Sequence, residues 1–223
     1  MPAALDAVAE HSGFPRVLLV GHGLGGVLSL AAAARRPSSL AGVVALGAPL
    51  RLSEPSTQAR ASLLLSMMLP ADLPLRALAR MGVPFAEDVV RPLARTAPPE
   101  RLRGALAYGA EDLSRPWLSA IRRWWKDGEP TLHDGLVEVA ASLRDASVPL
   151  LVVSGADDPV CPHDAAERAL ASWGDEDVDA VRVGGSHLDL LLGRDAGRAV
   201  HAPVVAWLDA RRRTTWGERR AAG

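Results

Sequence analysis

The order of apolar runs predicts an α/β protein, a parallel sheet flanked by helices and interrupted by one long helical insertion. Three observations carry this. Short apolar runs at 16–20, 42–46 and 148–154, with a further strand pattern at 178–183, have the length of strands buried in a parallel sheet. Helix-like stretches alternate with them, as in βαβ units. The block 51–146 holds no convincing strand and is too long for a simple connection, which makes it an inserted helical subdomain.

Taken in order, residues 3–11 place Leu5, Val8 and Ala9 on one helical face. The strand at 16–20 runs into Gly21-His22-Gly23-Leu24-Gly25-Gly26, followed by an Ala- and Leu-rich helix over 27–35 that Pro37 stops. The next buried strand, 42–46, ends at Gly47-Ala48-Pro49. Prolines 55, 70, 74, 84, 92, 98, 99, 116 and 130 divide the insertion into helical pieces. Strand signals return at 148–154, then a helix from about His163 to Trp173, a strand at 178–183, and a last helix from about Gly197 to Arg211. The expected division is a core of 1–50 and 147–223 with a helical cap over 51–146.

Composition narrows the class. A chain of 223 residues, 48% apolar, makes one domain with an embedded subdomain, and a net charge of −1 gives no reason to expect nucleic acid or an anionic membrane. Cys161 is the only cysteine, so an internal disulfide is excluded and a reducing, cytoplasmic setting is expected. No run approaches the roughly 18 apolar residues of a membrane span. Residues 1–12 carry Asp6 and Glu10 without a basic start, unlike a secretory signal. Lys126 is the only lysine among 25 basic side chains, and alanine abounds. This points to a high-GC, bacterial genome rather than an arginine patch. Arg211-Arg212-Arg213 and Arg219-Arg220 read as a solvated helix end. No metal cluster, phosphate loop or cofactor fingerprint occurs, so no cofactor and no metal are expected.

The run Val17-Leu18-Leu19-Val20 leading into Gly21 to Gly26 and then a helix resembles the nucleophile elbow of α/β-hydrolases, G-x-S-x-G, with Gly23 where serine belongs. In that superfamily the catalytic order along the chain is nucleophile, acid, histidine. The strand at 150–154 enters Gly155-Ala156-Asp157-Asp158-Pro159-Val160. The family's acid lies three residues past the glycine, which implies Asp158 and leaves Asp157 as a turn residue. The strand at 178–183 enters Gly184-Gly185-Ser186-His187. With 29 positions, one helix and one strand between them, Asp158 and His187 reach adjacent loops at one sheet edge, where the carboxylate can fix the imidazole tautomer. The structural alternatives are a surface-loop histidine and a helix-capping or turn aspartate.

Other residues fit less well. His22 occupies the x of the elbow and packs beside the site, while His11, His133, His163 and His201 belong to no constellation. Cys161 reads as a small buried filler. Ser29 lies nearly two helical turns past the elbow and Ser186 stands beside the histidine, so neither replaces the serine. The segment from His187 to Gly193 is similar to the histidine segment of acid lipases, which also insert a helical cap. The resemblance covers 3–50 and 147–210, and the cap by position and helicity only.

Two departures from the pattern matter. Glycine at 23 relaxes a strained turn while deleting the nucleophile, as in non-hydrolytic relatives such as the N-myc downstream-regulated family. The first four strands of the fold are absent, along with one oxyanion donor, which leaves the backbone N–H of Leu24. Strand 17–20 then becomes a sheet edge that invites pairing. The expected explanation is a truncated gene product or misplaced start codon, and the alternative is a short protein that forms a homodimer through 17–20.

The expected function is a carboxylic-ester hydrolase or lipase lineage, impaired or inactive, binding a small apolar acyl or ester ligand under the cap. Leu63 to Leu69, Trp117, Trp124 and Trp125 either line that pocket or pack the cap. The alternatives are residual esterase activity through water activated by His187 and Asp158, a fragment of a longer hydrolase, and a dinucleotide-binding fold. Against the last stand the G-x-G-x-G-G spacing and the missing acid after Leu46.

Overall fold

A computed structural model of the chain describes residues 2–50, 75–82, 90–109, 115–128, 130–132, 137–161 and 163–221. The chain begins with helix α1 (Pro2–Ser12), strand β1 (Val17–His22), helix α2 (Leu24–Arg35) and strand β2 (Leu40–Leu46). The insertion contributes α3 (Leu75–Arg80), α4 (Pro99–Gly104), α5 (Arg115–Asp127), the two-residue strands β3 (Thr131–Leu132) and β4 (Val137–Glu138), and α6 (Val139–Ser142). The second half runs β5 (Leu150–Gly155), α7 (His163–Ser172), β6 (Val178–Val183), α8 (Asp189–Leu192) and α9 (Ala202–Ala221).

The predicted parallel sheet is present, in the order β1-β2-β5-β6. Every pairing in it is parallel, with Val43 opposite Leu150 and Leu150 opposite Val178. Every residue of β2 and β5 is buried, which is why these strands read as continuous apolar runs. Alternate side chains serve opposite faces. Val43, Ala45, Leu150 and Val152 pack on one side with Val27 and Leu30 of α2, Val139, Leu143 and Trp173. Val44, Leu46, Leu151 and Val153 pack on the other with Leu190, Val200, Val204 and Trp207. Val139 and Leu143, both inside the block read as cap, thus lie in the first of these clusters.

The tryptophans that close the two faces are also tied by polar bonds. Trp173 Nε1 donates to the Val148 carbonyl and Trp207 Nε1 to Asp179 Oδ2, at 2.8 and 2.9 Å. The Arg211 guanidinium stacks on Trp207 and pairs with Asp177 and Asp179, holding α9 against β6. A smaller cluster, Ala79, Ala94, Ala97, Leu102, Leu106 and Ala107, packs against Leu188 and Leu192, joining the insertion to the loop that carries His187.

Some expectations differ from the structure. The insertion, read as free of strands, contains the antiparallel pair β3–β4, whose two-residue strands are too short for a period-two pattern to register. The last helix starts as a single wide turn over Gly197–His201 and continues to Ala221, past the predicted end at Arg211. The predicted helix over 63–69 and the Trp117 side chain lie outside the described residues, as do the side chains of Arg213, Arg219 and Arg220. Among the described residues, no helix is long and apolar enough to cross a membrane. No strand pairs with the outer edge of β1 there either, and Val20 is 50% exposed on it.

Candidate functional site

A single residue, Gly23, links the end of β1 to the start of α2. It sits at φ 55°, ψ −120°, a region that costs a side-chain-bearing residue about 1–3 kcal/mol. Its N–H donates to the Leu46 carbonyl at 2.8 Å, and its own carbonyl accepts from the Val27 N–H at 3.2 Å. The turn is therefore fixed from both sides. It also requires a bare backbone at Gly21, where a Cβ would stand 2.3 Å from the Gly25 carbonyl oxygen.

Opposite this turn, Asp158 and His187 meet. Strands β5 and β6 end level, Gly155 against Val183, and the Ala156 and Asp157 N–H groups donate to the Val183 and Gly185 carbonyls. This sets the two following loops side by side. His187 Nδ1 lies 2.8 Å from Asp158 Oδ2. The Asp158 side chain is fully buried and that of His187 is 10% exposed. Asp158 Oδ1 accepts the N–H groups of Val160 and Cys161 at 2.8 and 2.9 Å. Since a carboxylate only accepts, the ring proton belongs on Nδ1 and the lone pair on Nε2. Nε2 lies 2.9 Å from the point where a Cβ on Gly23 would stand. It has no hydrogen-bond partner among the described residues.

Two neighbours confine the imidazole. His22 donates from Nε2 to the His187 carbonyl at 3.0 Å, and the two rings lie 4.4 Å apart. Burial, reinforced by His187, lowers the His22 pKa to about 4, so this ring is neutral near pH 7. Gly47, at φ 52°, closes the other side: a Cβ there would stand 3.0 Å from Asp158 Oδ2 and 3.2 Å from His187 Nδ1. Leu24 is the first residue of α2, so its N–H has no acceptor within the helix and belongs to the helix's positive end.

The profile of the alpha/beta hydrolase family matches residues 2–211, nearly the whole chain. The chain belongs to the alpha/beta hydrolase family. Solved structures of similar fold include a monoacylglycerol lipase from Paleococcus ferrophilus, with TM-score 0.62 and 19% identity over 94% of this chain and 74% of that one. A hydrolase from Pseudomonas aeruginosa PA01 matches at TM-score 0.58 and 18% identity, covering 92% of this chain and 69% of that one. A thioesterase domain from the curacin biosynthetic pathway matches at 0.54 and 20%, covering 88% and 69%. Among curated proteins none matches in sequence. The family membership displaces the dinucleotide-binding alternative for Gly21 to Gly26.

Within this alpha/beta hydrolase, other candidates lie elsewhere. Ser29 Oγ bonds back to the Gly25 carbonyl within α2, and Ser186 Oγ donates to the Pro92 carbonyl. Burial, with Asp158 and Asp164 adding to it, pushes the Cys161 thiol up to about 12, far from a nucleophile's range. His163 contacts Glu167 and Ser154. His11 and His201 are exposed, Asp157 is exposed in its turn, and His133 lies outside the described residues. Among the described residues, no group of three or more His, Cys, Asp or Glu side chains is placed to hold a metal.

Sequence reasoning missed Asp189 and Gly47. Asp189 is buried, and Oδ1 accepts the N–H groups of Thr96 and Ala97, both at 2.9 Å, while Oδ2 accepts that of Ser186 at 3.0 Å. The Leu188 N–H donates to the Leu93 carbonyl beside it. The histidine loop and the segment 92–97 are thereby bound as one unit. The available signal was a lone carboxylate inside the apolar run Leu188–Leu192.

Asp189→Ala strands three backbone donors and should lower unfolding free energy by roughly 3–5 kcal/mol. Hydrogen exchange at Thr96 and Ala97 should accelerate more than at α2. A second outcome follows from His22. Its folded pKa of about 4 lies below the unfolded value of 6.5, so its contribution is complete above pH 6.5 and lost as pH falls toward 4. Urea denaturation across that window should show a loss of up to about 3 kcal/mol that is smaller in His22→Gln.

Proposed function

We propose that this alpha/beta hydrolase is a carboxylic-ester hydrolase or lipase relative in which acyl transfer is impaired or lost, and that it binds a small apolar acyl or ester ligand. One observation carries this: the free nitrogen of an oriented, buried His–Asp pair faces the α-carbon of Gly23, where no hydroxyl stands. In this reading Gly23 is the vacated nucleophile position, Asp158 orients His187, and the Leu24 N–H is an oxyanion donor. The segment 51–146 acts as the cap, supported by the packing of its small cluster on Leu188 and Leu192. The buried single thiol fits a reducing, cytoplasmic setting.

The intact pair supports a second reading, residual hydrolysis by water activated at His187 Nε2. Hydrolases stripped of one triad member keep roughly 10³–10⁴-fold acceleration over water, and one oxyanion donor accounts for about 10²–10³ of such rates. Two assays separate the readings. A serine-directed fluorophosphonate should leave the protein unlabelled, and p-nitrophenyl butyrate should show no acyl-enzyme burst. Labelling or a burst overturns the proposal. Slow steady turnover that disappears in His187→Ala selects the second reading instead.

The open edge of β1, with Val20 half exposed, supports a homodimer formed through residues 17–20. Sedimentation should then give a dimer that Val20→Lys dissociates. A monomer at all concentrations rejects the pairing.

A further inference from the structure

We infer that residues 92–97 of the insertion act as a brace for His187, with Ser186 and Asp189 as its positioning residues, so that the contact between His187 and Asp158 is set from outside the pair. The inference goes beyond the reading above and does not depend on which ligand the site takes. Both chain neighbours of His187 are bonded to consecutive residues of the segment. Ser186 Oγ donates to the Pro92 carbonyl at 3.0 Å, and the Leu188 N–H donates to the Leu93 carbonyl at 2.6 Å. Farther along, the Thr96 and Ala97 N–H groups reach Asp189 Oδ1, while Asp189 Oδ2 accepts from the Ser186 N–H. Ser186 and Asp189 are both buried, which strengthens these bonds relative to bonds in water.

The segment also touches the loop that carries Asp158. Arg95 lies 3.9 Å from Asp157, and the Asp157 N–H donates to the Gly185 carbonyl. The two loops stand back to back there. A Cβ on Gly155 would lie 2.7 Å from the Gly185 carbonyl oxygen, and one on Gly185, at φ 118°, would lie 3.0 Å from the Asp189 Cβ. A side chain keeps its geometry only while the groups around it hold its backbone. Two N–H groups of its own loop anchor the Asp158 carboxylate. The His187 backbone is held instead by the insertion, through residues 186 and 188, and by His22. Loosening the insertion therefore moves the imidazole relative to a carboxylate that stays in place.

Proton NMR of the His187 Nδ1–H, assigned by its loss in His187→Gln, tests this through the rate at which that proton exchanges with water. Ser186→Ala removes the bond to Pro92 alone and should speed exchange about tenfold, the order that one buried hydrogen bond is worth. Asp189→Asn sets an amide N–H against backbone donors and should speed it further. Trp173→Phe removes one buried hydrogen bond at the opposite end of the sheet and should change the rate by less than about twofold. Exchange in Ser186→Ala and Asp189→Asn no faster than in Trp173→Phe overturns the brace. Where neither buried variant folds, Arg95→Ala decides, since it alters only an exposed pair. Exchange about twofold faster then supports the brace, and an unchanged rate overturns it.

Discussion

The hydrogen bond between Asp158 and His187 organises everything around it. It is possible because β5 and β6 end at the same height and because the loop after β5 is bonded across to the loop after β6. A carboxylate removed from water tolerates burial only when its oxygens are occupied. Asp158 meets this with two backbone donors on one oxygen and the imidazole on the other. Gly47 keeps the ring's flank clear, and His22 holds the backbone of the histidine itself. Asp189 repeats the device one turn later, spending its carboxylate on backbone donors from two segments far apart in sequence. The site is thus two buried carboxylates in series, one holding a side chain and the other holding the loop that presents it.

Against this rigid frame stands a turn with nothing on it. Gly23 is held at φ 55° and ψ −120° by bonds of its own N–H to β2 and its own carbonyl to α2. Glycine holds this positive-φ conformation without the cost that a side chain would add. The imidazole stands close to the position a β-carbon would take, so the pair and the turn meet at His187 Nε2.

Much of this was legible beforehand, for identifiable reasons. Buried parallel strands appear as unbroken apolar runs, so β2 and β5 were plain, and β6 appeared with its ends correct. The alternation with helices identified the sheet as parallel, and the glycine-rich link after β1 pointed to the family. The meeting of Asp158 with His187 followed from one helix and one strand lying between them. What escaped notice depends on contacts between segments that no local pattern encodes. Asp189 drew no reading because its partners at 96 and 97 lie far away in sequence, and Gly47 read as a strand end. The pair β3–β4 is too brief to leave a periodic trace.

The conformation at Gly23 decides what a substitution there would disturb. The backbone is already held at φ 55°, ψ −120°, while a Cβ would stand 2.9 Å from His187 Nε2, so a side chain at 23 displaces the imidazole before it disturbs the turn. Replacing Asp158 or Gly47 instead reaches the frame that holds the ring. Crowding at one α-carbon thus couples the link after β1 to the loop after β6.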